Sequence, residues 1–240
     1  MSGKIIGITT NIGIESDDKF FKLNSAWVEN FLDIFKKYDI SVVFLPQIDQ
    51  FYEKYIDFLD GLIISGNNKH VNPKFYGQSR NENIKESDIC TCRTDFEMKM
   101  AKKFIEIDKP LFGICGGLQV INTVCGGTLV QHIPTQKKSK INHAQCERKR
   151  SWVHEVDVVA GTKLAQIVSN SKILTNTSHT QAIEKVGHGM VVNAISEDGI
   201  VEGAEVLGKK FCLGTQWHPE FNVTKADYEI FEAFARAVRF

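Results

Sequence analysis

The sequence predicts an α/β protein built on a mostly parallel, flavodoxin-like sheet flanked by helices, with antiparallel strands appended in its second half. Three observations carry this. Short apolar runs alternate with helix-spaced apolar residues through the first half of the chain. The second half changes to alternating strands joined by tight-turn signals. One apolar run, "PLFGICGGLQVINTVCGG" (110–127), passes from strand to helix through a glycine corner holding a cysteine.

The elements follow in order. "KIIGITT" (4–10) reads as a first strand. Trp27, Val28, Phe31, Leu32, Ile34, Phe35 and Tyr38 then recur at helical spacing behind Asn24 and Ser25, which suit the capping position. "SVVFLP" (41–46) and "GLIISG" (61–66) are the next strands, and Phe96, Met100, Phe104 and Ile107 mark a helix before the strand "PLFGI" (110–114). This β-α-β alternation argues for parallel strands with helices on both faces. Further on, "WVHEVDVV" (152–159), "MVVNAIS" (190–196), "GIVEGAEV" (199–206) and "KFCLGTQW" (210–217) read as strands, with turns at "EDG" (197–199) and "LGKK" (207–210). A closing helix carries Ile230, Phe231, Phe234 and Val238 on one face. The polar stretch 66–92 is long for a simple connection, and such loops are often functional.

Composition narrows the function. At 240 residues with 42% hydrophobic content the chain suits one domain spanning 1–240. Formal net charge is zero, so no overall basic field attracts nucleic acid or an anionic membrane. The basic cluster Lys137, Lys138, Lys140, Arg148, Lys149 and Arg150 reads as a solvated loop. No apolar run reaches the roughly 18 residues of a membrane span, and the N-terminal run lacks a signal-peptide pattern, so a cytoplasmic address is expected. Of the six cysteines, Cys90 and Cys92 form C-x-C rather than the C-x-x-C of zinc or redox sites. Cys125 and Cys212 fall in apolar elements, and Cys115 and Cys146 complete the set. Free thiols are expected throughout. No apolar stripe in the sequence reveals an oligomeric state, and a homo-oligomer stays open.

Gly113-Ile114-Cys115-Gly116-Gly117 has the G-x-nucleophile-x-G shape of a nucleophile elbow, with cysteine in the serine place. The turn makes the central side chain project, and neighbouring glycines avoid collisions of a Cβ with strand or helix. The sulfur then sits at the positive end of the following helix. The Gly116 N–H points where an oxyanion would form. A cysteine nucleophile needs a base, and among seven histidines His218 is best placed, because it too follows a strand. Pro219 is expected to hold His218 extended, so that Glu220, two residues on, stands beside the ring and fixes its tautomer.

"GICGG" together with "LGTQWHPE" (213–220) resembles the class I glutamine amidotransferases, and more narrowly their free-standing γ-glutamyl hydrolase branch, the peptidase C26 group. "FLP" (44–46), "VNPKFYG" (71–77), "RTDFE" (93–97), "HEVDV" (154–158), "SHTQAI" (178–183) and "EDGIVEGAE" (197–205) fall in the order of that branch. The resemblance implies Cys115 as nucleophile, His218 as general base and acid, and Glu220 as the orienting carboxylate. It implies an oxyanion hole from the backbone of Gly66 or Asn67 with Gly116. Gln119 matches a position lining the glutamyl pocket, and His143, Gln145 and His179 match polar positions near the substrate. The implied partner is a small γ-glutamyl amide, and the implied chemistry requires no metal or organic cofactor. The sequence departs from the branch at Gly116, where arginine is usual, at Thr180 within "HTQ" for "HHQ", at Thr94 within "RT" for "RD", and in the loop Ser65-Gly66-Asn67-Asn68. Two other readings share the scaffold: a glutaminase subunit passing ammonia to a synthetase, and a non-catalytic binding protein.

Overall fold

The computed structural model describes residues 3–15, 18–22, 26–145 and 150–240. The expected caps Asn24 and Ser25, and Cys146, Arg148 and Lys149, lie outside the described residues. The chain opens with β1 (Lys4–Thr9), then a small antiparallel pair, β2 (Asn11–Glu15) and β3 (Asp18–Lys22). A 3-10 segment leads into α1 (Leu32–Lys37), followed by β4 (Ile40–Leu45), α2 (Tyr52–Phe58) and β5 (Gly61–Ile64). After the long polar stretch come α3 (Thr91–Glu106), β6 (Leu111–Ile114), α4 (Gly116–Val124), β7 (Thr128–Val130) and α5 (Ile133–Gln136). The second half holds β8 (His154–Val158), α6 (Lys163–Ile167), β9 (Lys172–Thr175), β10 (Ala182–Lys185), β11 (Met190–Ser196), β12 (Val201–Val206), β13 (Cys212–Thr215) and α7 (Lys225–Arg239).

One sheet organises these elements, in the order β4-β1-β5-β6-β13-β12-β11-β8-β9, with β10 bridging β12 and β7. The run from β4 to β13 is parallel. From β12 to β9 every pairing is antiparallel. Parallel strands buried on both faces need apolar residues at successive positions. Leu62, Ile63 and Ile64 of β5 are all buried, as are Leu111 and Phe112 of β6. Phe112 and Ile63 join the layer under α1 and α7, with Ile34, Phe35, Phe231 and Phe234. Leu111, Leu62 and Ile64 join the layer under α2, α3 and α4, with Tyr55, Phe96, Met100 and Leu118. Helices therefore cover both faces of the parallel half.

The antiparallel half is larger than the sequence reading: β7, β9 and β10 are three or four residues long and too brief to show a period. The first helix is split, with a 3-10 turn over Ala26–Phe31 before α1. The stretch 66–92 is built from short 3-10 turns at Pro73–Tyr76 and Glu86–Asp88 and a bridge between His70 and Ile89.

Candidate active site

Three neighbouring parallel strands, β5, β6 and β13, end at one edge, where ligands of open α/β sheets bind. β6 delivers Cys115. Its φ is +50° and ψ −103°, a region that non-glycine residues enter only at a cost of about 1–3 kcal/mol. The position is held because the Cys115 N–H still donates to Thr215 O of β13 at 2.7 Å, while α4 begins one residue later. The glycines have separate jobs. A Cβ at Gly113 would stand 2.7 Å from the backbone of Gly117 and Leu118, and one at Gly117 only 2.1 Å from Ile64 O. At Gly116 the neighbour is Asn67, whose Cβ would be 3.2 Å away. The missing side chain that departs from the branch pattern thus lets the 65–68 loop close down on the elbow.

That loop follows β5. A Cβ at Gly66 would lie 3.0 Å from His218 Cε1 and 3.7 Å from Cys115 Cβ, so this one residue packs against both. Arg93, fully buried at the start of α3, holds the loop from beneath: its Nη2 donates to Ser65 O at 2.8 Å and to Gly66 O at 3.2 Å. In planar trans peptides each N–H points opposite the preceding carbonyl. The N–H groups of Gly66 and Asn67 therefore face away from Arg93. Glu97 partners Arg93 Nε at 2.8 Å and accepts from Thr9 Oγ1 at 2.6 Å; Thr9 in turn accepts from Ser65 N–H. Sequence reasoning gave Arg93 no role: the i,i+4 spacing to Glu97 in "RTDFE" shows the ion pair, but neither its burial nor the loop carbonyls it holds.

β13 delivers His218. Asn176 clasps its backbone from both sides, accepting from the N–H and donating to the carbonyl, each at 2.8 Å. His218 Nδ1 lies 2.7 Å from Glu220 Oε1. The expected extended geometry is corrected here: Pro219–Phe221 forms a 3-10 turn, which ends at Asn222 with φ +52°. The tight turn, rather than alternation along a strand, brings the carboxylate to the ring. Nε2 makes no hydrogen bond of ordinary geometry. Burial works against a charged ring, yet the Glu220 charge and then the nearby Cys115 sulfur outweigh it, and the His218 pKa is pushed up to about 10. Cys115, His218 and Glu220 are each no more than 8% exposed.

Gln119 of α4 donates to Gln181 O at 3.2 Å and to Gln216 Oε1 at 3.1 Å; Gln216 Nε2 is 3.5 Å from Cys115 Sγ. Gln119 is thus one residue removed from the sulfur. His143 and His179 come together around Glu202 of β12, with His154 of β8, and His179 Nδ1 shares the Gln181 carbonyl with Gln119. Burial opposes ionisation of Glu202, but the charges of the surrounding histidines hold its carboxyl well below the usual range. Gln145 joins neither group, its amide donating to Asn142 O. Thr180 Oγ1 is 3.4 Å from His70 Nε2, and Thr94 Oγ1 bonds back to Cys90 O within its helix. Cys90, Cys92, Cys115, Cys125 and Cys212 are free thiols. Among the described residues no helix is long and apolar enough to cross a membrane.

Comparison with known proteins first defines the class. The fold matches a glutamine amidotransferase of Thermotoga maritima with a TM-score of 0.61 at 14% identity, covering 99% of this chain and 96% of that one. A glutamine amidotransferase-like protein of Rickettsia prowazekii is 29% identical over 98% of both chains. The γ-glutamyl-γ-aminobutyrate hydrolase PuuD of Escherichia coli is 32% identical over 77% of this chain and 74% of its own. The peptidase C26 family model matches residues 4–220, and the chain belongs to that family.

Proposed function

We propose that the chain hydrolyses γ-glutamyl amides, with Cys115 as nucleophile, His218 as acid and base, and Glu220 as the carboxylate orienting the ring. The observation that carries this is the meeting of three strand ends: a thiol on a strained corner, a buried histidine–glutamate pair, and the Gly66–Asn67 backbone packed against both. Similarity to PuuD supports the γ-glutamyl head as the recognised group.

The Cys115 sulfur, its proton passed to His218, attacks the δ-carbonyl carbon of the glutamyl side chain. The oxyanion accepts from backbone N–H groups of Gly66 or Asn67 and of Gly116. The C–N bond breaks as His218 gives its proton to the leaving amine, and a γ-glutamyl thioester remains. Water, deprotonated by His218, attacks the thioester. Glutamate leaves and the sulfur is reprotonated. Gln119 lines the glutamyl pocket through its contacts with Gln181 and Gln216.

The direct test is glutamate release from a panel of γ-glutamyl amides, with no added protein. Selective turnover of γ-glutamyl amines supports the reading. Turnover of glutamine alone, and only when a synthetase is added, would replace it with an ammonia-supplying subunit.

The pH profile offers a second check. A folded-state pKa of about 10 keeps His218 protonated through neutral pH, the form that protonates the amine. The rate should hold above pH 7 and fall as pH rises through about 10. The same linkage makes its contribution to stability full below the unfolded value near 6.5 and lost as pH rises through about 10. Glu220→Gln removes the charge most responsible, so its alkaline limb should move to lower pH and kcat should fall by about 10²–10⁴. An unmoved limb would contradict the assigned role.

Arg93→Lys keeps the charge but loses the fork that grips two carbonyls. We expect kcat to fall by up to ~10² with KM little changed, since a displacement of the donors of about 1 Å has that cost. Equal losses in Arg93→Lys and in unfolding stability would instead mark Arg93 as purely structural.

A further inference from the structure

Three histidines and a glutamate, none of them given a step in the reaction above, are drawn to one point. His143 Nδ1, His179 Nε2 and His154 Nε2 lie 3.2, 3.4 and 3.8 Å from Glu202 Oε1. One ligand atom from each of His143, His154 and Glu202 lies within 4.8 Å of the other two. All three ring nitrogens and both Glu202 oxygens are buried, and none makes a hydrogen bond of proper geometry.

The opposite nitrogen of every ring is engaged. His143 Nε2 is 2.9 Å from Asp198 Oδ2, His154 Nδ1 is 3.3 Å from Glu155 O, and His179 Nδ1 is 3.0 Å from Gln181 O. Each of these acceptors requires an N–H. Where a ring is neutral, its inward nitrogen carries a lone pair; where it is protonated, that nitrogen presents a second N–H to Glu202. A carboxylate in this dry interior requires a positive charge beside it, which either a protonated ring or a metal ion held by the inward nitrogens supplies. Outer acceptors of this kind are the usual support of metal-bound histidine. Ligand atoms held ~2.0–2.2 Å from a tetrahedral zinc stand roughly 3.3–3.6 Å apart, a span that the three distances to Glu202 Oε1, 3.2 to 3.8 Å, bracket.

Charge points the same way. Glu202 and Asp198 are both buried, and among the described residues their ion pairs are with histidines alone, not with Lys or Arg. A divalent cation would neutralise both carboxylates. A cavity of about 300 Å³, lined in part by Lys137, Asn142, Ala144, His143 and His179, borders two of these residues.

We propose that His143, His154 and Glu202, with His179 beside the same carboxylate oxygen, form a binding site for a divalent transition metal of the zinc type, one that does not use Cys115 and is structural in role. The metal would tie β8 and β12 to the loops carrying His143 and His179. The second of those loops also bears Asn176, which clasps His218, and Gln181, which receives Gln119. Bound metal would therefore stiffen the support of the active site without touching the reacting sulfur.

The test is metal titration of chelator-washed full-length protein, wild type beside Glu202→Gln and Asp198→Asn. Glu202→Gln is isosteric, so its fold is checked by circular dichroism and any thiol binding is common to both proteins. Wild type should take up one equivalent of Zn²⁺ that Glu202→Gln does not. The Co²⁺ form should show tetrahedral d–d absorption, which disappears in the same variant. Asp198→Asn should bind ~10–100-fold more weakly. The thermal midpoint of the wild type should rise with Zn²⁺ concentration. Equal uptake by wild type and Glu202→Gln, or no uptake of Zn²⁺, Co²⁺ or Ni²⁺ by wild type, overturns the proposal.

Discussion

Cys115→Ala should lower γ-glutamyl amide hydrolysis by ~10⁴-fold or more, because the side chain that forms the thioester is gone and no neighbouring group can replace it. Stability should change little. The substitution keeps the Cβ and removes one buried atom, worth about 1 kcal/mol. Cys115→Gly separates the two effects. It should be equally inactive but more stable than Cys115→Ala by roughly 1 kcal/mol, since glycine adopts φ +50° without strain. Urea unfolding of the three proteins, with glutamate release from each, checks both parts. Retained turnover in Cys115→Ala would remove the nucleophile from the mechanism. A Cys115→Gly variant less stable than Cys115→Ala would mean that the corner is not strained.

The largest loss of stability is expected from a single added methyl group. In Gly117→Ala the new Cβ would stand 2.1 Å from Ile64 O and 2.9 Å from Ile64 C. Both are backbone atoms of the central strand β5, and no rotamer can move them. Either α4 lifts away from the sheet or β5 shifts between β1 and β6. Overpacking of this kind costs about 1–3 kcal/mol where side chains can yield, and here the obstacle is main chain. We expect a cost above that range, seen as a low yield of folded protein or a thermal midpoint lowered by many degrees. Gly116→Ala is the control. Its Cβ meets Asn67 at 3.2 Å, so the loop can give, and activity should suffer more than stability.

The contrast between these glycines shows what was legible beforehand. "GICGG" announced a corner with a projecting side chain, and the reason given for its glycines, collision of a Cβ with strand or helix, describes Gly113 and Gly117. It did not describe Gly116, because the Asn67 backbone that approaches it arrives from fifty residues away. The parallel strands were readable for a similar reason: each is apolar at successive positions, and burial on both faces demands that. β7, β9 and β10 were not, since three or four residues hold no period. Arg93 and Asn176 act on the site wholly through contacts distant in sequence, and a single chain shows no sign of such partners. Their residue types alone are as compatible with solvent as with a clasp. His143 and His179 were singled out as polar positions near the substrate, but their meeting with His154 around Glu202 was not foreseen. The pairing of β8 with β11, and of β11 with β12, decides that meeting, and local pattern does not reveal register.

β13 is the last strand in chain order, yet it lies between β6 and β12 and pairs with both. During synthesis every other strand of the sheet emerges before it. Until residues 212–215 arrive, the nascent polypeptide holds two half-sheets with bare inner edges. Such edges invite pairing with another molecule. Closure of this gap joins residues distant along the chain, a kind of step that is slow to nucleate. Biogenesis should therefore be most vulnerable late in translation, with chaperone demand set by a four-residue insertion.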